Sequence, residues 1–311
     1  MATIFQDIQE SFPIRNSAEQ KTAFRSWVCE TLHEAGWSAE VQISGKHHNV
    51  VIGDPEKAHV VFTAHYDTPK GGFIPNLMLP TCRPLFYAYQ FVVVLLLLAP
   101  AIAAAMAAFE WVPLDYSLAR NRMIPLLCYF VIYYSLFLLC FRAFVNKHNA
   151  NDNTSGTAVV LETALSLPQQ LRSKAAFILF DNEEKGKLGS KAYSKDHPQL
   201  KLNTPVINFD CVGYGSHFIL ICKKDAMQDA CIQTLQSVFS ALPNSHRITD
   251  KQGKANSDQA NFDKGCAVVA CKKSKRGILY VDRIHTVRDT IVDEENIEKL
   301  QRMNLRLIEQ L

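Results

Sequence analysis

From Leu85 to Phe109 the chain carries no charged residue, and from Met123 to Phe141 there is again none. At about 1.5 Å per residue these runs would extend roughly 37 and 28 Å as helices, against a hydrocarbon core of about 30 Å. Helices that are apolar all round belong in a membrane or deep in a large core, and a domain of this size needs no such pair. The connector between them, Glu110–Arg122, is polar and holds Glu110, Asp115, Arg120 and Arg122. Tyr87, Trp111 and Tyr116 lie near the run ends, where interfacial aromatics collect. The pattern predicts a transmembrane helical hairpin within residues 85–145, lodged in the bilayer and returning the chain to the side it left. Lys70, Arg83, Arg142 and Lys147 flank the hairpin's base, against Arg120 and Arg122 in the connector. That bias predicts that the rest of the chain, 1–84 and 146–311, faces the cytoplasm as one domain interrupted by the hairpin.

The net charge of +3 is small, and no lysine- or arginine-rich block stands out, so a nucleic-acid partner is not expected. The opening MATIFQDIQESFPIRN lacks a basic segment followed by an apolar core, so no secretory signal is predicted. The nine cysteines are odd in number, include no Cys-x-x-Cys pair, and two of them, Cys128 and Cys140, fall in the apolar runs. Free thiols in a reducing compartment are expected rather than a disulfide framework.

Outside the hairpin, helical and β-rich stretches alternate. Ser17–Trp37 has helical spacing of Phe24, Trp27, Val28 and Leu32 behind a Ser17 cap. The runs 40–44, 49–53 and 59–64 read as strands. After the hairpin the expected order is helix 157–167, strand 175–181, helix 188–197, strands 205–210 and 218–222, helix 225–242, strands 266–271 and 277–281, and helix 294–311. This order predicts a three-layer α/β/α sandwich around a mostly parallel mixed sheet.

Acidic and histidine residues fall just past several predicted strands: His65 and Asp67, Glu183 and Glu184, Asp210, and His285. In open α/β sheets that edge is where ligands bind. Imidazole and carboxylate without thiolate suit catalytic zinc, with cobalt or manganese as substitutes. If Asp152, Glu183, Glu184 and Asp210 converge without a cation, their mutual repulsion is severe; two divalent ions would cancel it.

Four motifs, in order, carry a resemblance: Ala64-His65-Tyr66-Asp67-Thr68; Asn151-Asp152-Asn153-Thr154-Ser155-Gly156; Asp181-Asn182-Glu183-Glu184-Lys185-Gly186 with Leu188-Gly189-Ser190; and Ile284-His285-Thr286 with Asp289. Ser257-Asp258 with Phe262 and Gly265 is a weaker fifth. The set resembles the co-catalytic zinc aminopeptidases of metallopeptidase family 28, over essentially the whole chain except the hairpin. The resemblance implies a zinc-exopeptidase fold and two zinc ions bridged by Asp152. His65 and Asp210 would complete one ion, and Glu184 and His285 the other, with a hydroxide held between the metals. It also implies Glu183 as general base and Asp67 as the acceptor orienting His65, with N-terminal residues of peptides as substrate. Glu183 is expected not to ligate, because neighbouring side chains after a strand diverge. His148, near Asp152 in sequence, is expected at the site entrance. Gln259 stands where the resemblance suggests histidine, a departure that touches the substrate pocket and not the metal ligands. The alternatives are a glutaminyl-cyclase-like acyltransferase on the same fold, which keeps one zinc, and a non-catalytic membrane receptor or scaffold.

Overall fold

The computed structural model describes residues 3–311 and begins with two helices, each opened by a capping box. Thr3 with Gln6 starts α1 (Ile4–Ser11), and Ser17 with Gln20 starts α2 (Ala18–Glu34). In each, the cap hydroxyl accepts the glutamine N–H while the glutamine side chain reaches back to the cap backbone. The Ser17 cap is the expected one; α1 goes beyond the sequence reading. Strands β1 (Ala39–Ser44), β2 (His47–Ile52), β3 (Val60–His65) and the short β4 (Lys70–Gly71) follow. The two apolar runs form α3 (Arg83–Trp111) and α4 (Ala119–Arg142), and β5 (Phe144–Val145) pairs antiparallel with β4. An irregular turn over Ala150–Ser155 leads into α5 (Gly156–Ser166). Next come β6 (Ala175–Phe180), α6 (Leu188–Asp196), α7 (Pro198–Asn203), β7 (Val206–Phe209) and β8 (His217–Cys222). The chain closes with α8 (Ala230–Phe239), β9 (Ser245–Thr249), β10 (Gly265–Lys273), β11 (Leu279–Tyr280) and α9 (Glu294–Gln310).

The strands form a nine-stranded mixed sheet in the order β1-β2-β6-β3-β7-β10-β8-β9, with β11 on β10. β6, β3, β7 and β10 run parallel through its middle, while β1, β2 and β8 introduce the antiparallel pairs. Alternation along β3 divides the core. Val60, Phe62 and Ala64 face a layer built from α1, α2, α5, α8 and α9, whereas Val61 faces Tyr193 of α6 and Leu200 of α7. Phe62 stacks between Phe177 and Phe209 with ring centroids 5.6 and 6.3 Å away. Fully buried, each such ring contributes about 1.5–3 kcal/mol over an exposed one. This is the expected sandwich, with helices on both faces of the sheet.

Three local expectations change. α8 is capped by Asp229, whose carboxylate accepts the N–H groups of Cys231 and Ile232; the residues before it form a separate short turn. β9, with sequence SHRIT, has no apolar alternation and becomes a strand only because β8 offers it a parallel edge. Cys222 and Cys266 are direct partners across β8 and β10, with Cα atoms 4.2 Å apart, and are joined as a disulfide. The expectation of free thiols is corrected for that pair and holds for the other seven. Register, invisible at a sequence separation of 44, brought the two together.

Both apolar helices are long enough to cross a membrane. Their side chains are mostly exposed: α4 has no buried residue, and α3 buries only Val93, Leu97 and Ala101. At their base the hairpin is clamped. Beyond the β4–β5 pairing, the Ile74 N–H donates to the Cys140 carbonyl at 3.1 Å, and the Gly72 N–H to the His285 carbonyl at 3.0 Å. Gly72 must be glycine, because a Cβ there would lie 1.9 Å from the Cys140 oxygen.

Candidate metal centre

Parallel pairing puts the C-terminal ends of β3, β6 and β7 on one edge of the sheet. His65 is the last residue of β3, Asp210 follows β7, and Glu183–Glu184 stand a turn beyond β6. Asp152 comes from the turn before α5. His285 sits in the loop after β11, as expected, with φ of 58°, although β11 is antiparallel to β10 and lies outside the parallel block. One expectation needs correcting here: Glu183 and Glu184 do not diverge. Asn182 takes a left-handed conformation, and residues 183–185 then form one tight helical turn that aims both carboxylates inward.

The predicted residues converge. One ligand atom each from His65, Asp152 and Asp210 lie within 4.8 Å of one another, and so do single atoms from Asp152, Glu184 and His285. Asp152 belongs to both groups through different oxygens: Oδ1 is 3.3 Å from His65 Nε2, and Oδ2 is 3.1 Å from His285 Nε2. Asp210 Oδ1 stands 3.8 Å from His65 Nε2, and Glu184 Oε2 3.3 Å from His285 Nε2. Glu183 joins His65 and Glu184 in a third such group.

A shell of hydrogen bonds fixes this geometry. His65 Nδ1 faces the main-chain carbonyl of Asp67 at 3.0 Å, closer than the Asp67 carboxylate at 3.6 Å. The carbonyl therefore orients the imidazole. The Asp67 carboxylate instead accepts the N–H groups of Glu183 and Glu184 at 2.9 and 3.3 Å, which sets their turn. Asp289 does the same for the Asp152 turn, accepting from Asn151 and Asp152 at 2.8 and 3.0 Å. Asn153 donates to the Phe209 carbonyl, tying that turn to β7. Asp258, from the weaker motif, is fully buried and accepts from Ser190. Two contributors carried no sequence signal. Fully buried Arg15 donates to Tyr66, Phe12 and Thr154, and the Cys211 thiol faces Asp210 at 3.1 Å.

Electrostatics make the cluster hungry for a cation. Burial raises the carboxyls of Glu183 and Glu184 well above the usual range, and neighbouring carboxylates add to it. Burial would lower His65, yet Asp152, Asp210 and Asp67 outweigh it and hold the imidazole well above its ordinary value. Burial, with Asp152 beside it, pushes Asp289 up to about 7. Glu184 Oε1 is buried with no hydrogen-bond partner among the described residues. An unpaired buried carboxylate oxygen is costly. A hard or borderline divalent ion bound by nitrogen and oxygen suits this donor set.

A cavity of about 230 Å³ opens beside the cluster; Asp67, Glu184 and His285 line it together with Phe137, Phe141 and Arg142 at the end of α4. His148, expected at this entrance, is exposed and does not line it; the clamp brings α4 there instead. Gln259 is buried and accepts from Asn208, away from this cavity.

Residues 142–309, more than half of the chain, match the model of peptidase family M28. The chain belongs to peptidase family M28. The matched span of this M28 chain carries Asp152, Glu183, Glu184, Asp210 and His285; His65 lies before it. No curated protein sequence matches. Among solved structures, the Legionella pneumophila LapA aminopeptidase superposes with a TM-score of 0.57 at 14% identity, covering 98% of this chain and 69% of that one. A Porphyromonas gingivalis glutaminyl cyclase gives 0.56 at 17% identity, with 99% and 96% covered. A leucine aminopeptidase precursor from Bacteroides thetaiotaomicron gives 0.55 at 14%, with 99% and 95% covered. At these identities the M28 chain shares a fold with both kinds of enzyme.

Proposed function

We propose that this M28 peptidase is a membrane-anchored aminopeptidase that uses two zinc ions, with α3 and α4 as the anchor and the catalytic domain on the cytoplasmic side. The observation that carries the metal reading is the Asp152 carboxylate, whose two oxygens serve two separate His/carboxylate groups. His65, Asp152 and Asp210 would hold one ion, and Asp152, Glu184 and His285 the other. When bound, such a pair activates water and polarises the scissile carbonyl.

The chain's own groups supply the rest. Glu183 takes the proton from water and returns it to the leaving amine; a buried carboxyl with a raised affinity for protons is suited to that task. Asp67 holds Glu183 and Glu184 in register through their N–H groups, and its carbonyl leaves His65 Nε2 free for metal. For the anchor, the support is the exposed apolar surface of α3 and α4, including Phe91, Leu96, Leu127 and Leu138.

The likeness to glutaminyl cyclases motivates a second reading, an acyltransferase with one metal. The His65–Asp152–Asp210 group favours the first. Elemental analysis of zinc-supplemented protein, paired with a panel of aminoacyl-nitroanilides and an N-terminal glutaminyl peptide, separates them. Two zinc equivalents with release of N-terminal residues are expected. One equivalent with pyroglutamate formation supports the cyclase, and no stoichiometric metal overturns both.

A further inference from the structure

We propose that the last two turns of α4 complete the substrate pocket, and that the substrate is an amphiphilic peptide whose apolar side chain beside the scissile amide packs on Phe137 and Phe141. This rests on the peptidase reading and narrows its substrate class. The cavity beside the cluster is lined both by Glu184 and His285 and by these two rings. Phe137 and Phe141 stand one helical turn apart on a single face of α4, with ring centroids 5.6 Å apart. They remain half-buried, so this face of the helix is turned toward the cavity without being filled by the domain.

The wall is rigid with respect to the cluster. Within three residues of one strap, Gly72 donates to the His285 carbonyl and Ile74 to the Cys140 carbonyl, and Lys70 pairs with Val145 just beyond the helix. A shift of α4 would therefore drag the His285 loop with it. The volume limits what enters. At about 230 Å³ the space is below the roughly 300–1,000 Å³ of drug-sized sites, which suits a chain end and one or two side chains. The mouth is also positive. Lys70, Arg142 and Lys185 line it, are exposed, and have no carboxylate partner among the described residues. Unpaired cations at the base of an apolar hairpin suit an anionic bilayer surface, and a peptide held there by an apolar segment would meet the mouth directly.

The test uses the full chain, zinc-loaded and reconstituted in phospholipid vesicles. Tripeptide amides bearing Leu or Phe in the first two positions are compared with those bearing Ser or Gln. The wild type should favour the apolar peptides in kcat/KM. In the double variant Phe137→Ala/Phe141→Ala that preference should fall at least tenfold, mainly through KM, and Phe137→Leu/Phe141→Leu should restore most of it. No apolar preference in the wild type, or equal losses on both peptide sets, overturns the proposal. If the wild type cleaves no peptide, the peptidase reading fails on its own. Calorimetric binding of an apolar peptide with its scissile amide reduced to an amine then decides the pocket. Weaker binding to the alanine variant supports it, and equal or absent binding overturns it.

Discussion

Glu183 and Glu184 sit side by side in sequence, and their environments differ by what holds them. Glu184 faces His285 at 3.3 Å and has one oxygen with no partner, whereas Glu183 faces His65 and Glu184 without a salt bridge of its own among the described residues. Glu183→Gln should keep folding and zinc content while lowering kcat by about 10²–10⁴-fold; near-normal turnover would remove it from proton transfer. Asp289 acts at one remove, because it holds the backbone of Asp152. Asp289→Asn puts an amide N–H₂ against one of two backbone donors. A loss of about 1–3 kcal/mol in stability is expected, and zinc affinity should drop by roughly 10–100-fold in chelator competition. The pH dependence has a defined sign. Burial raises Glu183 and Glu184, and carboxylates outweigh burial to raise His65 and His285. Groups raised in the fold add stability below their unfolded values, about 4.3 for Glu and 6.5 for His, and lose it as pH rises through the folded values. The metal-free Tm should therefore fall from about pH 5 to 8, while zinc, which needs those protons gone, binds more tightly over the same window. Calorimetry with and without chelator reads both, and a metal-free Tm rising through that window would contradict the assignment.

Among the elements, the β4–β5 strap matters most for its size. Its two-residue strands would be unstable alone, yet they join the base of α4 to the loop that carries His285. Gly72→Ala would force a Cβ into the Cys140 carbonyl and within 2.5 Å of Phe141 Cα. A cost of about 1–3 kcal/mol is expected from overpacking, read as a lower Tm, together with weaker zinc binding as the His285 loop shifts. An unchanged Tm would show that the strap yields without strain. α2 shows the opposite case, an element the sequence specifies locally: its Ser17–Gln20 capping box and the buried Phe24, Val28 and Leu32 are all readable in order.

At the scale of the whole molecule, a catalytic sandwich and an apolar hairpin share one chain without sharing a core. α3 and α4 pack on each other and leave their outer faces bare. The protein should sediment with membranes and resist extraction by high salt, needing detergent for release; release by salt alone would make the hairpin a soluble cap. The placement of the hairpin between His65 and Asp152 leaves the sheet edge undisturbed, since both residues still reach the same cluster. It also brings that cluster beside the base of the apolar helices.

The sequence by itself determined what depends on local periodicity and on side-chain chemistry: the alternating elements, the apolar hairpin, and an acid–imidazole set whose repulsion calls for cations. Those signals are contained in residues close along the chain, or in ligand types that few other purposes explain. Tertiary structure alone decided what depends on register and on distance in space. It put Asp152 between His65 and His285, gave the orienting contact on His65 to the Asp67 carbonyl rather than its carboxylate, and turned both Glu183 and Glu184 inward. It also opposed Cys222 to Cys266 and brought Phe137 and Phe141 to the cavity that Glu184 and His285 line. No pattern along the chain encodes which side chains will face one another across a sheet or a cavity, because that is fixed only when the pieces pack.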